Sequence, residues 1–177
     1  MRKILVLILL IVAFYSCKSS KRSKNSTSSK VITKKSKQKT NSLTSNEVIP
    51  IEDKIINYAK SFKGVRYKWG GTSKSGMDCS GLIFESFNAH NIYLPRISRD
   101  MAKKGTKITL KNTQKGDLLF FKTGKNRRNA INHVGLIVKV NNKDITFIHA
   151  TTKAGVITSS LSESYWQKSF FEARRIL

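Results

Sequence analysis

The 177-residue chain is poor in the residues that most often announce a function. It has two cysteines, three histidines, two prolines and ten acidic residues. No group of its Cys and His residues has metal-ligand spacing, so a zinc-type framework is excluded and no cofactor is expected. There is no Gly-Lys-Ser phosphate loop, which removes the commonest nucleotide site, and no internal repeat, which removes solenoid architectures. The longest apolar run, Ile4 to Phe14, has eleven residues. That is too short to cross a bilayer comfortably and suits the h-region of an export signal, with Arg2 and Lys3 ahead of it.

Against ten acids stand 34 Lys and Arg, a formal net charge of +24. The excess is not confined to one end. Residues 1–50 carry eleven basic residues against Glu47 alone, and residues 51–177 carry 23 against nine. Such a field attracts anionic partners, whether nucleic acid, anionic lipid or wall polymer, and charge alone does not choose among them. An export leader argues against nucleic acid, and the aromatics sit mainly in core-like runs instead of interleaving with basic residues. Nucleic acid is therefore not expected as a partner.

Tyr15-Ser16-Cys17 ends the leader and resembles the lipobox of bacterial lipoproteins, in which the cysteine is lipidated and becomes the first mature residue. Phe14 departs from that pattern, and a plain cleaved signal or an uncleaved anchor are the alternatives. The resemblance implies a lipid anchor on Cys17 in a bacterial membrane, with the outer membrane facing the periplasm as the expected site. Residues 18–48 are mostly Lys, Ser, Thr and Asn and cannot bury enough apolar surface to offset the entropy of ordering. They read as a disordered basic tether reaching on the order of 30 Å. Residues 49–177 are long enough for one domain with a real core, and a monomer is expected.

In that domain Ile51, Ile55, Ile56, Ala59 and Phe62 recur at helical spacing, with Glu52 and Asp53 in the first turn and Gly64 beyond the last. Thr72 to Gly76 reads as a loop. A second helix is expected from Cys79 to His90, with Leu82, Ile83, Phe87 and Ala89 inward. Ile97 to Lys104 suggests a short helix started by Ser98. Gly116-Asp117 turns into a buried strand at Leu118 to Phe121. Further strands are read at His133–Val140, Ile145–Thr151 and Val156–Ser159, a helix within Ser162–Phe170, and a last strand from Phe171. Helices first and strands afterwards imply an α+β domain on an antiparallel sheet.

Cys79 opens its helix, where unpaired N–H groups and the dipole favour a thiolate, as a nucleophile requires. Its own backbone N–H is a natural oxyanion donor. With Cys17 assigned to the leader boundary, Cys79 is left unpaired in an oxidising compartment, which argues for a task. His133 and His149 are candidates for base and orienting group. They are sixteen positions apart, so a simple two-residue turn would set them on opposite faces of their hairpin, whereas a loop with an odd number of residues, or one bulge, would set them opposite each other on the same face. Catalysis needs the second case, with the Cys79 helix packed on that face. His90, near a helix C-terminus, reads as a dipole partner. Trp69 reads as a core residue. Asp78 is either a helix cap or a partner for a substrate ammonium, and Arg96 meets either a substrate carboxylate or a structural acid.

Tyr67-Lys68-Trp69-Gly70-Gly71, Asp78-Cys79-Ser80-Gly81-Leu82, Leu94-Pro95-Arg96, Gly116-Asp117-Leu118, His133-Val134-Gly135 and Ile148-His149-Ala150 follow one another in the order seen in the NlpC-type cell-wall peptidases. Over residues 50–177 the chain resembles that papain-like family. The resemblance implies a papain-like α+β fold and an endopeptidase cutting peptidoglycan stem peptides, often between D-glutamate, through its γ-carboxyl, and a diamino acid. It also implies Cys79 as nucleophile, His133 as base, His149 as third polar residue, and Tyr67, Asp78 and Ser80 at the substrate. Arg66 stands where a proline is common, and Lys125 to Arg128 make the loop before His133 unusually basic. The rival readings are a wall-binding lipoprotein with an idle thiol, and an amidase or acyltransferase on the same scaffold.

Overall fold

The structure is a computed structural model and describes residues 48–124, 130–142 and 144–177. The leader with Cys17, the tether up to residue 47 and the basic loop Lys125–Arg128 lie outside the described residues.

The first helix, α1 (Ile51–Lys60), buries Ile55, Ile56 and Ala59, and Phe62 follows them into the core. Ile51 instead lies exposed in the first turn. Gly64 ends the segment with φ +83°, a conformation that strongly favours glycine. Thr72 to Gly76 is more ordered than the loop read from sequence. Strands β1 (Thr72–Ser73) and β2 (Gly76–Met77) pair as a small antiparallel hairpin directly before the second helix. That helix, α2 (Cys79–Asn88), buries Leu82, Ile83 and Phe87, while Ala89 just past its end is exposed. His90 Nδ1 lies 3.0 Å from the Ser86 carbonyl at the helix C-terminus, the terminal role expected of it. The short helix α3 (Ser98–Met101) takes Ile97 as its cap, and Ser98 is its first helical residue, buried.

The remaining strands are β3 (Thr106–Ile108), β4 (Leu118–Phe121), β5 (His133–Asn141), β6 (Asp144–Thr151), β7 (Gly155–Ser160) and β8 (Phe170–Arg175). They form one six-stranded antiparallel sheet in the order β3-β8-β4-β5-β6-β7. A fourth helix, α4 (Ser164–Ser169), connects β7 to β8. Alternation along the strands splits the sheet into two buried faces. Leu118, Phe120, Val134, Leu136, Ile148, Ala150 and Val156 join one core with α1 and α2. Leu119, Phe121, Ile137, Ile145, Phe147 and Ala173 join the other, under Trp166 of α4. Asp117, 1% exposed, accepts two hydrogen bonds from Arg175 at 2.9 and 2.8 Å and so ties the turn into β4 to the end of β8.

Candidate active site

The β5–β6 hairpin decides whether the two histidines can meet. Asn141 pairs with Asp144, Val140 with Ile145 and Lys139 with Thr146, but the next pairs are Ile137 with Phe147 and Leu136 with Ile148. Val138 is the extra residue of a β-bulge. The two-residue connection alone would have placed His133 and His149 on opposite faces, and the bulge brings them to the same one. They are not directly opposite each other. By the same register His149 faces Gly135, one rung diagonal to His133. Gly135 has a steric reason to be there, since a Cβ would stand 2.4 Å from the Phe147 ring, which packs 4.7 Å from the His149 ring. The result is a contact of 2.9 Å between His133 Nε2 and His149 Nδ1. His149 Nε2 continues the line, 3.1 Å from Ser159 Oγ on β7. His133 Nδ1 makes no hydrogen bond among the described residues.

Helix α2 packs on the reverse face of the sheet, with Val134 and Leu136, and not on the face of the histidines. The expectation that it would share their face is corrected. Cys79 heads the helix and reaches the end of the sheet, where β5 begins. Its Sγ lies 4.0 Å from the Asn132 carbonyl oxygen, next to the His133 peptide. Cys79 is a free thiol, 9% exposed, and it lines the same groove of about 790 Å³ as His133. A second hollow of about 410 Å³, between Leu110, Val140, Leu161 and Phe170, is lined by no cysteine and no histidine.

The start of α2 is held by Asp78. One carboxylate oxygen caps the helix by accepting from Gly81 N–H at 2.6 Å; the other accepts from Gly70 N–H at 2.8 Å. Arg96 donates to both, at 3.0 and 2.8 Å, and also to Ser80 Oγ at 2.9 Å. Of the alternatives open in the sequence, Asp78 caps the helix and Arg96 meets a structural acid. Gly81 allows the close packing: a Cβ there would lie 2.1 Å from the Gly71 carbonyl oxygen. The N–H groups of Cys79 and Ser80 donate to no protein oxygen among the described residues.

Burial dominates the electrostatics. It pushes the Cys79 thiol up to about 11, although the Val134, Ser80 and Cys79 N–H groups oppose it. The helix N-terminus therefore does not by itself give a resting thiolate; loss of solvation outweighs it. Burial also lowers His133 to about 4 and, with His133 beside it, His149 to about 3. The resting site at neutral pH is a thiol and two neutral imidazoles. Trp166 explains much of the enclosure. Its indole stacks on His133 at 5.3 Å between centroids and meets His149 edge-on at 4.7 Å. Tyr67 stands beside the thiol, its phenol raised by burial and by the neighbouring Cys79 and Asp78.

Tyr67, Asp78, Ser80 and Arg96 all line the groove with Cys79 and His133, so the structure brings the sequence-predicted set together. Trp69 is corrected outright: it is 86% exposed, on the groove wall. Trp166 and Ser159 were missed. Nothing local marks either one, because Trp166 sits in an ordinary amphipathic stretch and Ser159 is one of several serines near the end of a strand. No group of His, Cys, Asp and Glu among the described residues could hold a metal.

A thiol at a helix head, set against the strand that carries a buried histidine on an α+β frame, defines the papain-like class of folds. The chain belongs to the NlpC/P60 family, whose model matches residues 64–175. It is 37% identical over 130 residues to the Escherichia coli K12 murein DD-endopeptidase MepS/murein LD-carboxypeptidase, covering 73% of this chain and 65% of that one. It is 42% identical over 118 residues to the probable endopeptidase NlpC of the same organism, covering 66% and 73%. The crystal structure of an NlpC/P60 family protein from Bacillus cereus superposes with a TM-score of 0.64 at 31% identity, covering 72% of this chain and 41% of that one. The chain thus spans just under two thirds of the MepS relative and less than half of the Bacillus cereus protein.

Proposed function

We propose that this protein is a peptidoglycan endopeptidase of the cysteine type, cutting stem-peptide amide bonds, with the D-γ-glutamyl to diamino acid bond as its target. The observation that carries the reading is the 2.9 Å contact between His133 and His149, with Cys79 opening into the same groove. The names of the relatives, a murein DD-endopeptidase and a probable endopeptidase NlpC, support the substrate class. Peptidoglycan places the action in the cell envelope. The leader supports export, and a lipid on Cys17 would tether a monomeric domain to a bacterial membrane, the outer one facing the periplasm.

In this mechanism the Cys79 S–H proton passes to His133 Nδ1 as the sulfur attacks the scissile carbonyl carbon. A C–S bond forms, and the carbonyl oxygen takes the negative charge toward the N–H of Cys79, which donates to no protein oxygen among the described residues. Because the resting groups are neutral, the proton has to leave the sulfur for His133 within the reaction itself. Collapse breaks the C–N bond, and the leaving amine takes the proton from His133. Water, deprotonated by the same imidazole, then cleaves the thioester and restores the thiol. His149 orients His133 and spreads its charge, and Trp166 faces the imidazolium with its π-system. Tyr67, Asp78, Ser80 and Arg96 form the groove wall beside Cys79, and the exposed indole of Trp69 offers the substrate a stacking surface.

The test is digestion of defined muropeptides by the full chain, with mass analysis of the fragments. New ends at the γ-glutamyl bond, absent with Cys79→Ala, are the expected result. Binding without cleavage by both forms would favour the wall-binding lipoprotein, a cut between two other stem-peptide residues would change the target bond but keep the endopeptidase, and a cut at a bond that does not join two stem-peptide residues would favour the amidase reading.

A further inference from the structure

Building on the reading of Cys79, His133 and His149 as the reacting group, we infer that Ser159 is a positioning residue that sets the direction of the hydrogen-bond line through both histidines. A neutral imidazole has one N–H and one lone pair, so each ring in the line passes direction on. Two directions are open. In the first, His133 Nε2–H donates to His149 Nδ1 and His149 Nε2–H donates to Ser159 Oγ. His133 Nδ1 then carries a lone pair and can take a proton from the thiol. In the second, the Ser159 hydroxyl donates to His149 Nε2, His149 Nδ1–H donates to His133 Nε2, and the His133 proton sits on Nδ1. That tautomer cannot act as the base.

The geometry favours the first direction. His149 is 0% exposed, and Ser159 Oγ at 3.1 Å is the single partner of its Nε2 among the described residues. Strand pairing sets Ile157 opposite His149 and Ser159 opposite Phe147, so Ser159 lies on the histidine face one rung away. Ser159, at the sheet edge and only partly buried, keeps solvent for its own O–H. A buried N–H without an acceptor is less tolerated than a buried lone pair without a donor. Removing the hydroxyl therefore penalises the productive tautomer more than the unproductive one, and Ser159→Ala shifts the pair toward a His133 that already holds a proton on Nδ1.

The deciding measurement is the protonation pattern of the imidazole nitrogens in the full chain at pH 7, read from long-range proton–nitrogen NMR correlations. The expected result is His149 protonated on Nε2 and His133 protonated on Nε2 in the wild type. In Ser159→Ala the population should move toward Nδ1 on both rings, with kcat falling roughly tenfold or more and KM little changed. Ser159→Thr, which keeps the hydroxyl, should restore both the nitrogen pattern and kcat. A wild-type His149 protonated on Nδ1 overturns the inference, whether or not Ser159→Ala folds. So does a Ser159→Ala protein with the wild-type pattern and wild-type kcat. The wild-type pattern needs no turnover, so cleavage surviving Cys79→Ala would defeat the peptidase reading while leaving the tautomer result to stand or fall separately.

Discussion

Replacing Asp78 with alanine removes the acceptor of four groups at the head of the Cys79 helix; the Ser80 hydroxyl, 3.2 Å away, still accepts from Arg96, and the other three carry the loss. Gly81 N–H loses its cap, worth about 1 kcal/mol. Gly70 N–H loses its acceptor, about another 1 kcal/mol. Arg96 is left without its carboxylate; its side chain is 31% exposed, so water screens part of the loss and about 1 kcal/mol is appropriate. The sum is about 3 kcal/mol, which at an m-value of about 1.5 kcal/mol/M lowers the urea midpoint by about 2 M. The pH dependence gives a second handle. Burial alone would raise the Asp78 carboxyl, but hydrogen bonds from Arg96, Gly81 and Gly70 outweigh it and hold it below its ordinary value. Its contribution is therefore present above the unfolded carboxylate range and lost as pH falls through the lower folded value, so the gap between wild type and Asp78→Ala narrows in acid. Urea unfolding followed by far-UV circular dichroism at several pH values measures both. Adding Arg96→Met should cost less than the sum of the single changes, because the double variant leaves no lone charge. A midpoint that moves by less than about 0.5 M at pH 7, or strict additivity in the double variant, would refute the account.

Gly81→Ala places a methyl 2.1 Å from the Gly71 carbonyl oxygen and must displace the helix start, so thermal melting should show a loss of about 1–3 kcal/mol, accompanied by a loss of kcat. Trp69→Ala should leave stability within about 0.5 kcal/mol, because the indole is 86% exposed, and should raise KM for muropeptides; cooperative unfolding at a much lower temperature would return Trp69 to the core. Below about pH 6.5 the unfolded chain binds protons that His133 and His149, at about 4 and about 3, refuse, so stability falls as pH drops. Above about pH 9 the unfolded chain releases the thiol proton that the folded one holds to about 11, so stability falls again; in a denaturation series Cys79→Ser should lose this alkaline part alone.

Much of this molecule is written in local patterns. The spacing of Ile55, Ile56, Ala59 and Phe62 makes α1 because one helical face must be covered, and the alternation from His133 onward makes β5 because each sheet face is buried separately. The glycines and Asp78 before Cys79 announce a turn into a capped helix with a thiol at its head. The order of the short motifs was enough to indicate the family and its α+β fold. What the chain alone left open depends on pairing between distant strands. The bulge at Val138, which turns two histidines from opposite faces to one, is a matter of register, and register is decided by which residues the whole sheet can bury. The sulfur's high pKa is likewise a property of the assembled groove, since a helix terminus supplies its dipole locally but desolvation comes from everything packed around it. Trp166, thirty-three positions beyond His133, and Ser159, ten beyond His149, become neighbours of the imidazoles only when α4 packs on the sheet and β7 pairs with β6. The outward turn of Trp69 follows the same logic, because hydrophobicity predicts burial on average and only the packed core decides which aromatic is left over.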